Sequence, residues 1–345
     1  MAEYISFQPS DFFSTKLFTG NASAGHAITG VGFQPDWVWL KDRIGTNNHS
    51  LYDSVRGVTK AIRTSTTGAE TTTSGVTAFG VDGFTVGNNA MGNAANAMVS
   101  WNWKMGTTSG LTGGSITPTG YSLNTTAGQS IIAYTGTGAT ATIPHGLGAL
   151  PGCIIVKNLS SEHWQMYHHK IDATAPEDYT LQFSAGARFD TDTRWNDTAP
   201  TSSVFTVAGN PTVNGSTVPY IAYVFTEKKG YSKFGSYIGN GNVDGTFAHT
   251  GFRPAFIMLK NSSTSNGWNI WDSKRQTFNP NSDLLPPHTS GAESDSANWT
   301  IDMLSNGFKA RSSNNEANGS GNTIIYAAFA EFPIVSSNNI PGVAR

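Results

Sequence analysis

Three stretches of this chain repeat one another. Phe18 to Lys41 reads FTGNASAGHAITGVGFQPDWVWLK, Tyr134 to Lys157 reads YTGTGATATIPHGLGALPGCIIVK, and Tyr237 to Lys260 reads YIGNGNVDGTFAHTGFRPAFIMLK. Each opens on an aromatic, followed by Gly20, Gly136 or Gly239. Fifteen residues later stands Pro35, Pro151 or Pro254, and six further on Lys41, Lys157 or Lys260, with no gap needed. The copies begin 116 and then 103 residues apart. A period near 100 residues is duplication of a whole domain, not of a short solenoid motif. Enzymes seldom need three near-copies of one fold in a row; binding, scaffolding and surface proteins often do.

The 345 residues suit two or three ordinary domains, and the repeat selects three. Charged residues are 13 % of the chain, about half of the usual ~25 %. Gly 38 and Pro 15 describe a turn-rich chain, while 38 % hydrophobic and 11 % aromatic residues supply a core and argue against disorder. Net charge is -2 with no Lys/Arg run, which speaks against nucleic acid as a partner. The densest charged string, Glu227, Lys228 and Lys229, reads as a solvated turn. Cys153 is alone, so no internal disulfide or cysteine zinc cluster is expected. It takes the place of Trp37 and Phe256 and reads as a buried core residue. MAEYISFQPSDFF lacks a basic stretch leading into an apolar one, and no apolar run reaches ~18 residues. The expectation is a chain made in a cytosol, soluble and without membrane insertion.

Strand signals run throughout: short β-branched and aromatic runs bounded by Gly, Asn, Pro and Thr. Trp37 and Trp39 become Cys153 and Ile155, then Phe256 and Met258, two apart and apolar in every copy. Val38, Ile154 and Ile257 between them are apolar too, so this strand belongs inside a packed layer. A second strand follows in LYDSVR (Leu51 to Arg56), MYHHKI (Met166 to Ile171) and IWDSKR (Ile270 to Arg275). Asp82-Gly83 and Asn306-Gly307 are hairpin turns leading into Phe84 and Phe308; the second copy has Val204 to Val207 there. Each copy closes on a strand: Ala97 to Lys104, Tyr220 to Glu227, Ile324 to Glu331. About seven to ten strands per copy suit a β-sandwich. The stretch from Gly106 to Gly120 reads as a flexible linker, loosely joining the first two copies unless it packs down. The join at Lys228 to Ser232 is so short that the second and third copies should touch.

Candidate chemistry is sparse. His163, His168 and His169 cluster in sequence, but adjacent strand residues face opposite ways, so a shared metal is disfavoured. His26, His145 and His249 occupy one region of the three copies and read as loop holders. Asn240, Asn242 and Asp244 before Gly245 echo a calcium loop whose twelfth position is Gly251 instead of glutamate. Asp190, Asp192 and Asp197 form a second acidic loop that could bind a cation. No HExxH, nucleophile elbow, CxxC or phosphate loop is present. Asp53 with Arg56 and Asp272 with Arg275 recur within D-S-x-R, which His168 and Ile171 replace in the second copy; this reads as a structural clamp. Trp101 with Trp103 matches Tyr223 with Phe225 and Ala327 with Phe329, either a sugar-stacking platform or, the preferred reading, core. Catalytic, cofactor-binding and metal-binding residues are therefore expected to be none, and the ligand-binding residues are unassigned.

Several strings carry a resemblance: ISFQPSDFFSTKLFTGN with GVGFQPDWVWLK, AGQSIIAYTGTGATATIPHGLG, RWNDTAPTSSVFTV, YSKFGSYIGNGNVDGTFAHTGFRPAFIMLK and SNGFKARSSNNEANGSGNTIIYAAFAEFP. Over nearly the whole chain they resemble virion-associated proteins of tailed phages of marine and other aquatic bacteria. The resemblance implies a structural, often tail-associated protein with lectin-like or jelly-roll sandwiches, and carries no catalytic residues over.

The expected fold is all-β: three tandem β-sandwich (jelly-roll or lectin-like) domains from an internal triplication, at residues 1–108, 121–229 and 230–336, with a linker at 109–120 and a tail at 337–345. The expected function is that of a non-enzymatic virion-surface protein without cofactor. It would be a tail-fibre or receptor-binding component adhering to host surface glycans. Its partners would be other virion proteins and copies of itself, as a trimer. A capsid decoration or head-fibre protein is the alternative, since three equivalent domains can sit on a threefold position. A glycan depolymerase is the third.

Overall fold

A computed structural model describes residue 5 and residues 7–184 and 186–332. The expected tail at 337–345 lies outside these, as does the end of the third copy's span. The chain is all-β, with nine strands in each copy among the described residues.

Each copy builds one large antiparallel sheet in the same order: opening strand, closing strand, lysine strand, next strand. In the first copy these are Phe13–Thr19, Ala97–Trp103, Trp37–Asp42 and Ser50–Asp53. In the second they are Gln129–Thr135, Pro219–Thr226, Pro151–Asn158 and Gln165–His168, and in the third Ser232–Ile238, Thr323–Phe329, Phe256–Asn261 and Trp268–Asp272. The closing strand pairs on both edges, which places first and last strand of a copy side by side. A small sheet covers the outer face of each large one: His26–Thr29, Gly83–Val86 and Val76–Gly80; then Ala141–Pro144 with Val204–Val207; then Phe247–His249, Gly307–Ala310 and Ile301–Leu304.

The lysine strands are buried on both faces, as their apolar text requires. Their two faces enter different cores. Val38 and Leu40, Ile154 and Val156, Ile257 and Leu259 pack within their own copies. Trp37 and Trp39, Cys153 and Ile155, Phe256 and Met258 all enter one core shared by the three copies. There Trp37 stacks on Trp103 and on Tyr223 at 4.4 Å between ring centres, joining first and second copies. Trp103 meets Phe256 and Phe329 at 5.7 and 5.6 Å, joining first and third. Buried aromatics of this size dominate core energetics, each pair adding about 0.5–1.5 kcal/mol beyond area burial. Each large sheet thus has a small sheet on its outside and its neighbours' large sheets on its inside, an arrangement that tandem sandwiches with separate cores do not have.

The linker packs down. The amides of Ser115 and Ile116 both donate to the Thr142 carbonyl at 3.0 Å, and Ile116 is buried. At the second join Tyr231 is buried and donates to Gln129 Oε1 at 2.9 Å. The gapless alignment of the copies also slips locally. Ile28, Ile143 and Ala248 face Phe84, Phe205 and Phe308, although relative to the aligned Gly20, Gly136 and Gly239 the second copy is one residue shorter and the third one residue longer than the first. A one-residue slip turns a strand inside out, so the preceding loop absorbs the difference in length and keeps the apolar side chain inward.

Candidate functional sites and the ring of copy interfaces

The residues that recur between copies are the natural first candidates for a site, and each has an architectural task. A Cβ on Gly20 would lie 1.7 Å from the Ala94 carbonyl oxygen; on Gly136 and Gly239 it would lie 2.2 Å from those of Gly215 and Gly319. Only glycine lets the backbones approach so closely. Asn93, Asn214 and Asn318 hold the loop after each glycine. Their side-chain carbonyls accept from the amides of Asn21, Thr137 and Asn240 at 2.9, 2.8 and 3.0 Å. Their amide groups donate to the carbonyls of Ser23, Ala139 and Asn242. The sequence reading missed this clamp, although an asparagine stands four or five residues before every closing strand.

Lys41, Lys157 and Lys260 are buried among backbone carbonyls. Lys41 Nζ donates to Asp42, Gly45 and, across the boundary, Ser290; Lys157 Nζ donates to Glu162 and, across the boundary, Thr67; Lys260 Nζ donates to Asn266. Burial lowers each ammonium to about 8, with Asp42 and Glu293 opposing this at Lys41, Glu162 at Lys157 and Glu316 at Lys260.

Contacts between copies run cyclically. The Glu70 amide of the first donates to Leu159 O of the second at 2.9 Å, Arg188 of the second to Ser262 O of the third at 2.9 Å, and Glu293 of the third to Arg43 O of the first at 2.8 Å. Three heterologous contacts that close on themselves form a ring. A second set repeats it. Trp164 Nε1 donates to Arg63 O at 2.8 Å and Trp268 Nε1 to Gln182 O at 2.7 Å. His49 stands in the corresponding place of the first copy. Its Nδ1 accepts from Trp39 Nε1 at 2.9 Å, so the ring proton sits on Nε2. That Nε2 has no partner at hydrogen-bonding geometry, which makes this the least satisfied of the three junctions.

The D-S-x-R strings close the ring at its core. Asp53 accepts from the Arg56 amide and Nε at 2.8 and 2.6 Å, the expected clamp, and Arg56 also reaches Glu70 at 3.0 Å. Asp272 accepts from the Arg275 amide at 2.8 Å and pairs with its Nε, and Arg275 reaches Glu293 at 2.8 Å. Each aspartate also accepts from a neighbouring copy, Asp53 from Tyr223 Oη at 2.7 Å and Asp272 from Trp101 Nε1 at 3.0 Å. The third copy has Ala327 at the position of Tyr223 and Trp101, a residue with no side-chain donor. In the second copy His168 takes the aspartate's place, its Nδ1 accepting from the Lys170 amide and its Nε2 facing the Tyr326 carbonyl at 3.1 Å. Burial, helped by neighbouring His169, pushes its pKa down to about 3 and keeps it neutral.

The remaining candidates do not converge. His163 is exposed, and His169 faces the Phe234 carbonyl and, at 3.4 Å, Glu227. His26 faces Asn93 Oδ1 at 3.2 Å and His145 faces Thr201 O at 3.1 Å, both holding loops; the His249 side chain is exposed. In the calcium-like loop Asn240 Oδ1 accepts from the Asn242 amide and Asn242 Oδ1 from the Asp244 amide, while the Asp244 carboxylate pairs with Lys309 and Arg311. Asp190, Asp192 and Asp197 are exposed. Burial first, then Asp178, Asp192 and Asp190, raises the Asp197 carboxyl, the sign of an unneutralised acidic crowd. Among the described residues no three of His, Cys, Asp or Glu are placed to hold a metal ion. Trp101 and Trp103 face the shared core, not solvent, and Cys153 is buried there too.

No helix among the described residues is long and apolar enough to cross a membrane. No curated protein and no solved structure matches the chain. One family model, described as Domain of unknown function (DUF7483), matches residues 8–333 in a single run through all three copies and both joins. The chain belongs to the family of Domain of unknown function (DUF7483).

Proposed function

We propose that this chain is a non-enzymatic structural protein of a tailed-phage virion, displayed on the particle surface, and that it serves as a tail-fibre or receptor-binding component adhering to host surface glycans. The observation that carries this reading is the use made of the recurring residues. Glycines, lysines, asparagines and D-S-x-R pairs all serve packing within or between copies, which suits a rigid platform that presents variable loops. The resemblance of the repeat strings to virion proteins supplies the setting. On this reading the triplication is of three sandwich-like units closed into one ring.

The ring also favours a second reading, a capsid decoration or head-fibre protein. Three equivalent copies around one core let a single chain seat on a threefold or quasi-threefold position without trimerising. Tail attachment to a trimeric fibre would use the same match, with other virion proteins as partners in either case.

Antibody labelling of intact virions, counted by electron microscopy, separates the two. Label on the tail with a few dozen copies at most supports adhesion; label over the head with hundreds of copies supports decoration. Purified protein that leaves host adsorption unchanged at saturation overturns the adhesion reading.

A further inference from the structure

The three small sheets share a fold but not an outer face. In the first copy that face carries Ala27, Thr29 and Thr85. In the second it carries Thr142, Pro144 and Val204, and the linker lies along Thr142. In the third, Ala248, Phe308 and Met303 point into the core, while Phe247, His249, Lys309 and Asp302 point outward. Phe247 stands directly opposite Lys309, and Lys309 opposite Asp302. Two strand spacings of about 4.8 Å put Phe247 roughly 10 Å from Asp302.

The charges on this face are balanced. Asp244 pairs with Lys309 at 2.6 Å and with Arg311 at 3.2 Å, and Arg311 Nε pairs with Asp302 at 3.2 Å. Two cations and two carboxylates leave no net field to draw an ionic ligand. They leave, at fixed positions, donors on Lys309 and Arg311 and acceptors on Asp244 and Asp302. Beside them opens a cavity of about 430 Å³ lined by Asn279, Thr300, Asp302 and Arg311. Asn279 also borders a second cavity of about 180 Å³ next to Phe278, whose ring is 71 % exposed. Asn279 is itself held to the sheet, donating to Met303 O at 3.0 Å and accepting from the Met303 amide at 2.9 Å. The cavity wall is therefore pinned to the strand that carries Asp302. Phe247 is 41 % exposed, its ring edge lying over Gly307 and its ring centre 6.4 Å from that of His249.

We propose that this cleft of the third copy binds a neutral saccharide. A pyranose offers an apolar C–H face, which an exposed aromatic ring covers, and a rim of hydroxyls that both donate and accept. Phe247, beyond Lys309 on the same outward face, supplies the first requirement; Asp302, Arg311 and Asn279 at the cavity supply the second. The cavity is of the size usual for small-ligand sites, and the distance from Phe247 to Asp302 accommodates more than one sugar ring. The proposal rests on the adhesion reading, and it names the copy and the chemistry that would make contact.

The test uses the full chain. Saturation-transfer NMR is recorded with lactose, maltose, cellobiose and N,N′-diacetylchitobiose at millimolar concentration, and with glucuronic acid as the charged comparison. Transfer to at least one neutral disaccharide is expected. Affinity should fall roughly tenfold or more in Phe247→Ala and in Asp302→Asn, and stay unchanged in Thr29→Ala on the first copy's bare face. Near-UV circular dichroism identical to the parent's shows that the variants fold. Transfer to none of the four, transfer to glucuronic acid alone, or transfer indifferent to both cleft variants overturns the proposal. Adsorption competition distinguishes the two readings. If the parent and the Phe247→Ala, Asp302→Asn double variant block adsorption equally, adhesion stands and the cleft falls. If the parent binds sugar through the cleft without blocking adsorption, the cleft stands and host adhesion falls.

Discussion

The phenol of Tyr223 donates to Asp53 Oδ2 at 2.7 Å across the boundary between the second and first copies, with both side chains fully buried. Asp53 already holds Arg56 on the same oxygen, so the phenol completes a buried ion pair that neither copy completes alone. Removing the hydroxyl leaves part of a buried carboxylate unsatisfied. Tyr223→Phe should lower stability by about 1–3 kcal/mol in urea unfolding. In a double-mutant cycle with Asp53→Asn the two changes should couple by more than about 0.5 kcal/mol. Full additivity would mean that the contact contributes nothing.

The shared core makes a specific demand on cooperativity. Because Trp37, Trp103, Tyr223, Phe256 and Phe329 pack together from all three copies, no copy can unfold without exposing the others. Calorimetry of the full chain should show a single transition, with calorimetric and van't Hoff enthalpies in agreement. A fragment ending at residue 229 should fail to fold cooperatively. Two or three separable transitions would mean that the copies are independent domains.

Glycine at the head of each copy should be irreplaceable. Gly20→Ala drives a methyl into the Ala94 carbonyl oxygen and should cost about 2–4 kcal/mol. Gly68→Ala meets nothing nearer than 3.5 Å, at Thr66 Oγ1, and should be close to neutral. Equal effects at the two positions, by thermal or urea unfolding, would contradict the close approach.

Stability should depend on pH at both ends of the range. His168 titrates at about 3 in the folded chain and near 6.5 unfolded, and His49, His145 and His288 are lowered too, each chiefly by burial. Below pH 6.5 the unfolded chain binds more protons, so stability falls toward pH 3. The slope is at most about 1.4 kcal/mol per pH unit for each histidine. Glu227, held at about 2 by hydrogen bonds and charge from His169 and Lys233 against the opposing effect of burial, adds to the loss below its ordinary 4.5. The lysines act at the other end. Lowered to about 8, Lys41, Lys157 and Lys260 bind fewer protons folded than unfolded between pH 8 and 10.5, so stability rises there. Above pH 10 the buried phenols of Tyr134, Tyr223 and Tyr231, all raised first by burial, must be ionised to match the unfolded chain, and stability should drop. Urea midpoints from pH 3 to 11 test the profile, and His168→Asn should flatten its acid limb.

The sequence by itself determined the all-β character, the three-fold repetition and the position of nearly every principal strand. Those properties live in neighbours along the chain: the apolar run of Trp37 to Leu40, the Asp82-Gly83 turn, the closing run from Ala97 to Trp103. It also exposed the D-S-x-R clamp, because Asp53 and Arg56 are three residues apart. How the copies stand to one another was decided only by the tertiary structure. The inner faces of the lysine strands read alike whether they pack against their own copy or against two others, since burial alone leaves the same apolar pattern. Contacts such as Tyr223 with Asp53, or Trp101 with Asp272, join residues 170 and 171 positions apart. No local spacing encodes them. The cleft on the third copy was hidden for the same reason. Phe247 joins Lys309 and Asp302 only when its strand pairs in register with a hairpin much further along the chain, which turns their alternate side chains onto one outward face.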